Sequence, residues 1–330
     1  MTQVAGRQVE IGIGIETAAG TPVTAANFFK WDSFSMVPMS DKITLDSARG
    51  IRNKTSNNLI LRKYGKGSIE FVPTVDMIPY VLGMVMGTRS SGLHAGETTV
   101  YDHTFSIQNA NASMKTATLF VKQAGVQTER YSNVVADSFD LTVDKDFAKC
   151  KVGFLGAYPD TGTITPAYTQ DTLFSRNELT AKFGATLTLA AAAAATPLAA
   201  FSLSVNNNVL FDDAFLSGAN TPAAGGFIAG SLEIKGSYTL QFTDTVELAK
   251  YQASTKNAMI VTLQGASIGI VPSKETIKFN LGALVLTKAP TEYQLDGITM
   301  IKQEFVVQYD ATDKELGAVV TNIYAGTNYQ

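Results

Sequence analysis

A mainly β fold made of a duplicated module, each copy carrying one short helix, is predicted by three features of the 330-residue sequence. Apolar and polar residues alternate with strand periodicity over many segments, and only two stretches carry a clear helical pattern. A pair of motifs, Phe-Ser followed by Lys-Gly-Ser, occurs twice at nearly the same interval.

Taken in order, Val9, Ile11, Ile13 and Ile15 alternate with Glu10, Gly12, Gly14 and Glu16, a half-buried strand that stops at Gly20-Thr21-Pro22. Trp31 to Val37 is a second strand. Ile43 to Asn58 reads as a polar loop, longer than the roughly 12 to 15 residues usual inside a domain. From Leu59 the chain reads strand, turn at Gly65-Lys66-Gly67, strand through Phe71, then a helix with Asp76 as N-cap, Pro79 in its first turn and its end near Gly87. Thr88 to Thr99 reads as a loop. Strands follow at Thr118 to Gln123, Phe139 to Val143 and Lys151 to Phe154, and Pro159 to Gln170 has the composition of a linker. The stretch from Leu187 to Ala195 is ambiguous between strand and helix.

The second half repeats the first. Phe34-Ser35-Met36-Val37 precedes Lys66-Gly67-Ser68-Ile69 as Phe201-Ser202-Leu203-Ser204 precedes Lys235-Gly236-Ser237-Tyr238. A helix follows each Lys-Gly-Ser strand, the second over Thr245 to Ser254 with Asp244 and Glu247 spaced for a capping box. Thr118 to Gly125 then matches Ala258 to Gly265, and each half closes on long strands, Phe139 to Phe154 and Leu284 to Tyr309. The expected division is a module over residues 1–160, a linker over 161–180 and a second module over 181–330.

The first helix is apolar nearly all round. A helix on one side of a sheet hides one face by itself, so Met77, Ile78, Tyr80, Val81, Met84 and Val85 belong either to the chain's own core or, as expected, to a contact with a neighbouring subunit.

Composition narrows function. Charged residues make up 17% and the net charge is −3, which gives no general attraction to nucleic acid and leaves some surface to be covered by a partner. Cys150 is the sole cysteine, so no intrachain disulfide forms. The amino terminus lacks a secretory h-region, and no apolar run reaches the roughly 20 residues that cross a bilayer. Gly265-Ala266-Ser267-Ile268-Gly269 matches a nucleophile elbow, yet Ile270-Val271-Pro272 reads as extended and both histidines precede Ser267, so a strand-end turn is the better reading. Gly12-Ile13-Gly14 lacks the third glycine and helix of a dinucleotide site. His94 and His103 read as surface histidines without zinc spacing, and Asp144-Lys145-Asp146 and Asp212-Asp213 as solvated turns. No cofactor or metal is expected. In contrast, between Lys42 and Lys66 lie Arg49, Arg52, Lys54, Arg62 and Lys63 against a single carboxylate, Asp46, which suits a docking arm that meets an acidic surface on another copy.

At this point the chain resembles the tail tube, or major tail, proteins of long-tailed bacteriophages. The resemblance rests on Gly14-Ile15-Glu16-Thr17-Ala18-Ala19-Gly20-Thr21-Pro22-Val23, the Trp31 to Val37 strand, Gly67-Ser68-Ile69-Glu70-Phe71 with its helix, and the Tyr- and Asn-rich end. It implies two tandem β-sandwich modules, each with a flanking short helix and a long β-hairpin, and a non-enzymatic structural subunit of the virion made in the host cytoplasm. Rings of this subunit would stack into a tube for genome ejection, as homotrimers with pseudo-sixfold symmetry or as hexamers. The long loop would reach the adjacent ring. Tape measure and tail-end or terminator proteins would be partners, and double-stranded DNA would pass without specific binding. Other β-rich structural proteins, a capsid decoration protein, fimbrial subunit or adhesin, are the alternative.

Overall fold

The computed structural model describes residues 6–46, 55–109, 114–123, 126–168, 172–211, 220–223, 226–242, 246–270, 273–289, 291–292 and 298–329. The first half comprises β1 (Val9–Ile15), β2 (Asn27–Phe29), β3 (Trp31–Phe34), β4 (Val37–Asp46), β5 (Thr55–Phe71) and helix α1 (Ile78–Met86). It continues with β6 (Gly87–Leu93), β7 (Tyr101–Ile107), β8 (Ala117–Gln123), β9 (Gln127–Val143), β10 (Lys149–Ala157) and β11 (Asp160–Thr161). The second half holds β12 (Leu179–Gly184), α2 (Leu187–Ala192), β13 (Thr196–Pro197), β14 (Ala200–Asn206), β15 (Leu210–Phe211), β16 (Phe227–Ile228) and β17 (Glu233–Gln241). It ends with α3 (Val246–Gln252), β18 (Asn257–Ile268), β19 (Ser273–Lys288), β20 (Thr291–Glu292), β21 (Met300–Val307) and β22 (Leu316–Asn322). The fold is mainly β, with antiparallel pairing in every ladder. Thr186 caps α2, which settles the ambiguous stretch as a short helix.

The two halves share one ladder. In the first, strands pair in the order β2–β1–β8–β9–β10–β5–β3. In the second the order is β13–β12–β18–β19–β21–β17–β14. Even the irregularities recur. A bulge on β9 between Tyr131 and Val134, opposite Ala117 and Leu119, has its counterpart on β19 between Leu281 and Leu284, opposite Asn257 and Met259. The bulge opposite Gly153 and Phe154, which leaves Asp137 of β9 unpaired with β10, recurs at Thr287 of β19. A 3-10 turn precedes both β1 and β12, at Gly6–Gln8 and Arg176–Glu178.

The Lys-Gly-Ser motif has a physical cause at both sites. Ser68 N–H donates to Ser35 Oγ at 3.0 Å, and Ser237 N–H donates to Ser202 Oγ at 3.1 Å. A Cβ on Gly67 would lie 2.6 Å from Ser35 O, and one on Gly236 would lie 2.2 Å from Ser202 O. Glycine is therefore required by close approach of the paired strands. The expected turn at Gly65-Lys66-Gly67 is absent, because β5 runs straight through it, and a Cβ at Gly65 would meet the Tyr131 ring at 2.6 Å. The expected loop over Ile43 to Asn58 is likewise strand at both ends, Ile43 opposing Leu59 and Asp46 opposing Thr55. Thr88 to Thr99 begins as β6 rather than as loop.

One hydrophobic core runs through both halves, from Ile11 and Phe71 to Phe279 and Phe305. The halves join where β14 pairs with the outer edge of β9, Phe201 opposing Val143 and Asn206 opposing Ser138. Asn207 secures this seam, donating through Nδ2 at 3.1 Å to both Val85 O at the end of α1 and Ala136 O.

Helix α1 lies inside this core. Met77, Ile78, Tyr80, Val81, Met84 and Val85 are each at most 5% exposed in the single chain, so they are not a surface for a neighbouring subunit. The second face of the helix is covered by the β6–β7 hairpin, an insertion with no counterpart in the second half, and by β22, which pairs with β7. Met77 takes the N-cap position without a side-chain bond, and Asp76 instead accepts from Thr74 and Asn27. Gly87 ends the helix at φ +84°, the conformation glycine adopts freely. Burial pushes the Tyr80 phenol up to about 12, Asp76 adding to the effect. The capping box expected at Asp244 and Glu247 lies outside the described side chains.

His103 is not at the surface. It is fully buried, with Nδ1 2.8 Å from Ser91 Oγ and Nε2 2.9 Å from Asn322 Oδ1, and its ring stands edge-on to Tyr329. Asn322 in turn donates to Val75 O at 2.6 Å and Tyr329 Oη at 2.9 Å, so this cluster ties the C-terminal strand to the start of α1. Burial lowers the imidazole pKa below its ordinary value of 6.5. The unfolded chain then takes up a proton first, so stability is complete above about pH 6.5 and falls as pH drops through that value. Melting temperatures measured from pH 7.5 down to 5 should fall for the wild type and fall less for His103→Gln; equal slopes would contradict this role.

Candidate assembly surface

The β4–β5 hairpin leaves the body of the protein at Tyr64. Up to that residue β5 is held on its other edge by β10, Tyr64 opposing Ala157, and beyond it β4 is the one strand partner among the described residues. At roughly 3.3 Å per residue the 17-residue β5 is roughly 55 Å long. Alternation on a two-stranded arm normally hides one face, yet here Ile43, Leu45 and Leu59 are 53%, 57% and 65% exposed. Ile43 and Leu59 oppose each other and share a face. An isolated hairpin is marginal in water, and apolar residues clustered on one mark a contact surface.

The basic residues divide into two groups. Arg62 and Lys63 lie near the base and have partners in their own chain. Arg62 pairs with Asp41 across the hairpin, its guanidinium 5.6 Å from the Tyr64 ring and 5.5 Å from the Phe211 ring. The Lys63 ammonium lies 5.5 Å from the Tyr158 ring, and its N–H donates to Asn220 O at 2.6 Å. These contacts brace the arm against the β15–β16 hairpin, which occupies the same place in the second half. Asp46 lies toward the tip, opposite Thr55, while Arg49, Arg52 and Lys54 lie outside the described residues.

Sequence reasoning missed Glu16, although it lies in the stretch that carries the resemblance. Buried at 6% exposure, its carboxylate accepts from Gly20 N–H, Thr116 Oγ1, Thr118 Oγ1 and Asn133 N–H at 2.8 to 2.9 Å. It thereby joins the turn after β1 to β8 and β9. The polar Glu-Thr pattern was its one signal.

The nucleophile-elbow reading fails on geometry. β18 continues through Gly265 to Ile268, Ser267 opposes Lys274 in the ladder, and a strand follows on the far side of Gly269. Cys150 is fully buried and burial raises its thiol pKa, which makes it unreactive.

A duplicated antiparallel ladder with an apolar, exposed hairpin offers a surface for assembly with other copies. The family model described as phage tail tube protein matches residues 6–308, so this chain belongs to the phage tail tube protein family, a non-enzymatic structural family of the virion. No curated protein matches it.

Proposed function

We propose that the chain is a tail tube subunit of two tandem β-sandwich modules, the first over residues 1–160 and the second, expected from residue 181, starting earlier with the turn Arg176–Glu178 and β12. Three chains form a ring with pseudo-sixfold symmetry, and rings stack into the conduit through which double-stranded DNA leaves, passing without specific binding. The observation that carries this reading is the recurrence of the seven-strand order with its two bulges, which gives one chain two equivalent building blocks. The β4–β5 hairpin makes the contact to the next ring, with Ile43, Leu45 and Leu59 as its apolar part and Asp46, Arg49, Arg52 and Lys54 as its charged tip. Arg62 and Lys63 support the arm from its base. Tape measure and tail-end or terminator proteins are the further partners that membership of the family suggests.

Electron microscopy of the purified protein, with class averages of end-on rings, tests this. Threefold rings of three chains are expected. Rings of six chains would remove the role given to the duplication, and monodisperse monomers at high concentration would sink the tube itself.

A further inference from the structure

The internal repeat points to the strands that join one chain to the next. Through the Ser35–Ser68 and Ser202–Ser237 pairs, the segment Phe34–Met39, at the junction of β3 and β4, stands where β14 stands from Phe201 to Asn206. Through the shared bulge at Asp137 and Thr287, the β9 residues Ser138, Leu141 and Thr142 stand where Lys288, Thr291 and Glu292 stand. Within the chain, the β14 segment closes on this part of β9 to form the seam between the halves.

Their counterparts are the two ends left over. Among the described residues, Phe34–Met39 pairs with β5 on one edge and with no strand on the other. Lys288, Thr291 and Glu292 likewise pair with β21 alone. The first of these edges does not carry the lysines that usually guard an open strand: Val37 and Met39 are 47% and 39% exposed on it. Pro38, which stands at the position of Val205, has no N–H to give and limits pairing with unrelated strands.

Resting on the ring reading above, we propose that the Phe34–Met39 edge of one chain adds antiparallel to the β19–β20 edge of a second copy, repeating the β14–β9 seam between molecules. The register transfers directly. Ser35 opposes Glu292, Met36 opposes Thr291, and Met39 opposes Lys288 of the neighbouring chain. Such a contact is head-to-tail and uses a different surface on each partner, so it closes a ring when its rotation divides the circle.

Oxidative cross-linking of assembled protein carrying both Met39→Cys and Lys288→Cys is the direct test, read on denaturing gels without reductant. Cys150 is fully buried and adds no background. Covalent dimers and trimers are expected, with the ladder ending at three chains. Val37→Cys with Lys288→Cys, slipped by two residues to about 7 to 8 Å, should cross-link at least about tenfold less. Hydrogen exchange on the unmodified protein gives a second reading: amides of residues 34–36 and 287–292 should slow at least about tenfold on assembly. Tubes in which the slipped pair reacts equally well, or in which those amides exchange as in the free subunit, overturn the proposed seam while leaving the tube reading intact. Absence of any ring or tube overturns the tube reading, and this seam with it.

Discussion

Replacing Ile43 and Leu59 together by aspartate should yield a folded subunit that builds no tubes. Both side chains are more than half exposed in the chain, so each replacement costs the fold no more than about 0.5 kcal/mol, the ordinary effect of a surface change. In a stacked tube each would be buried, and full burial of an aliphatic side chain is worth about 1.5 to 3 kcal/mol. Two paired carboxylates in its place add repulsion and desolvation, repeated at every subunit around the ring. Thermal unfolding should therefore be nearly unchanged while micrographs show rings or monomers only. Tubes of normal length would remove the hairpin from the contact between rings.

The largest effect on folding is expected at Gly67→Val. Its Cβ would fall 2.3 Å from Met36 Cα, a backbone atom that cannot move without lifting β4 off β5. Overpacking of this kind costs about 1 to 3 kcal/mol, and a contact with backbone belongs at the upper end, about 3 kcal/mol. Gly236→Val should behave alike, because its Cβ would meet Ser202 O at 2.2 Å and the Phe305 ring at 2.6 Å. Urea midpoints for the two variants measure the loss directly. A change below about 1 kcal/mol at either position would mean that the close approach is not what requires glycine there.

The repeat was legible in the sequence because its marker is dictated by contact. Lys-Gly-Ser recurs wherever a glycine must let a neighbouring serine backbone approach, and that constraint persists after the surrounding residues have changed. The same glycines misled as a turn signal, since a missing Cβ serves close approach and tight bends equally. Helix α1 was misjudged for another reason. Its periodicity shows that all faces are apolar, but what covers the far face comes from β6–β7 and from β22 and Tyr329 at the other end of the chain, which no local pattern reveals. His103 was hidden similarly, its partner Asn322 lying 219 residues away. In the hairpin, the run of Asn, Ser and Arg residues breaks the apolar alternation in the sequence and so masked a ladder that continues to Asp46 and Thr55. Arg62 and Lys63 read as free arm charges because Phe211, Tyr158 and Asn220, which hold them, are remote in sequence.

The β9–β14 seam has a kinetic consequence. It forms within one chain as that chain folds, so it does not depend on the protein concentration. If three chains close a ring as proposed, half of its six joints are settled before any two molecules meet. Nucleation of such a ring would be a three-body event in place of a six-body one, with a correspondingly less steep dependence on protein concentration. Covalent joining also frees the halves from identity: one can keep the long arm while the other shortens its hairpin to a brace, an arrangement closed to rings built from six identical single modules.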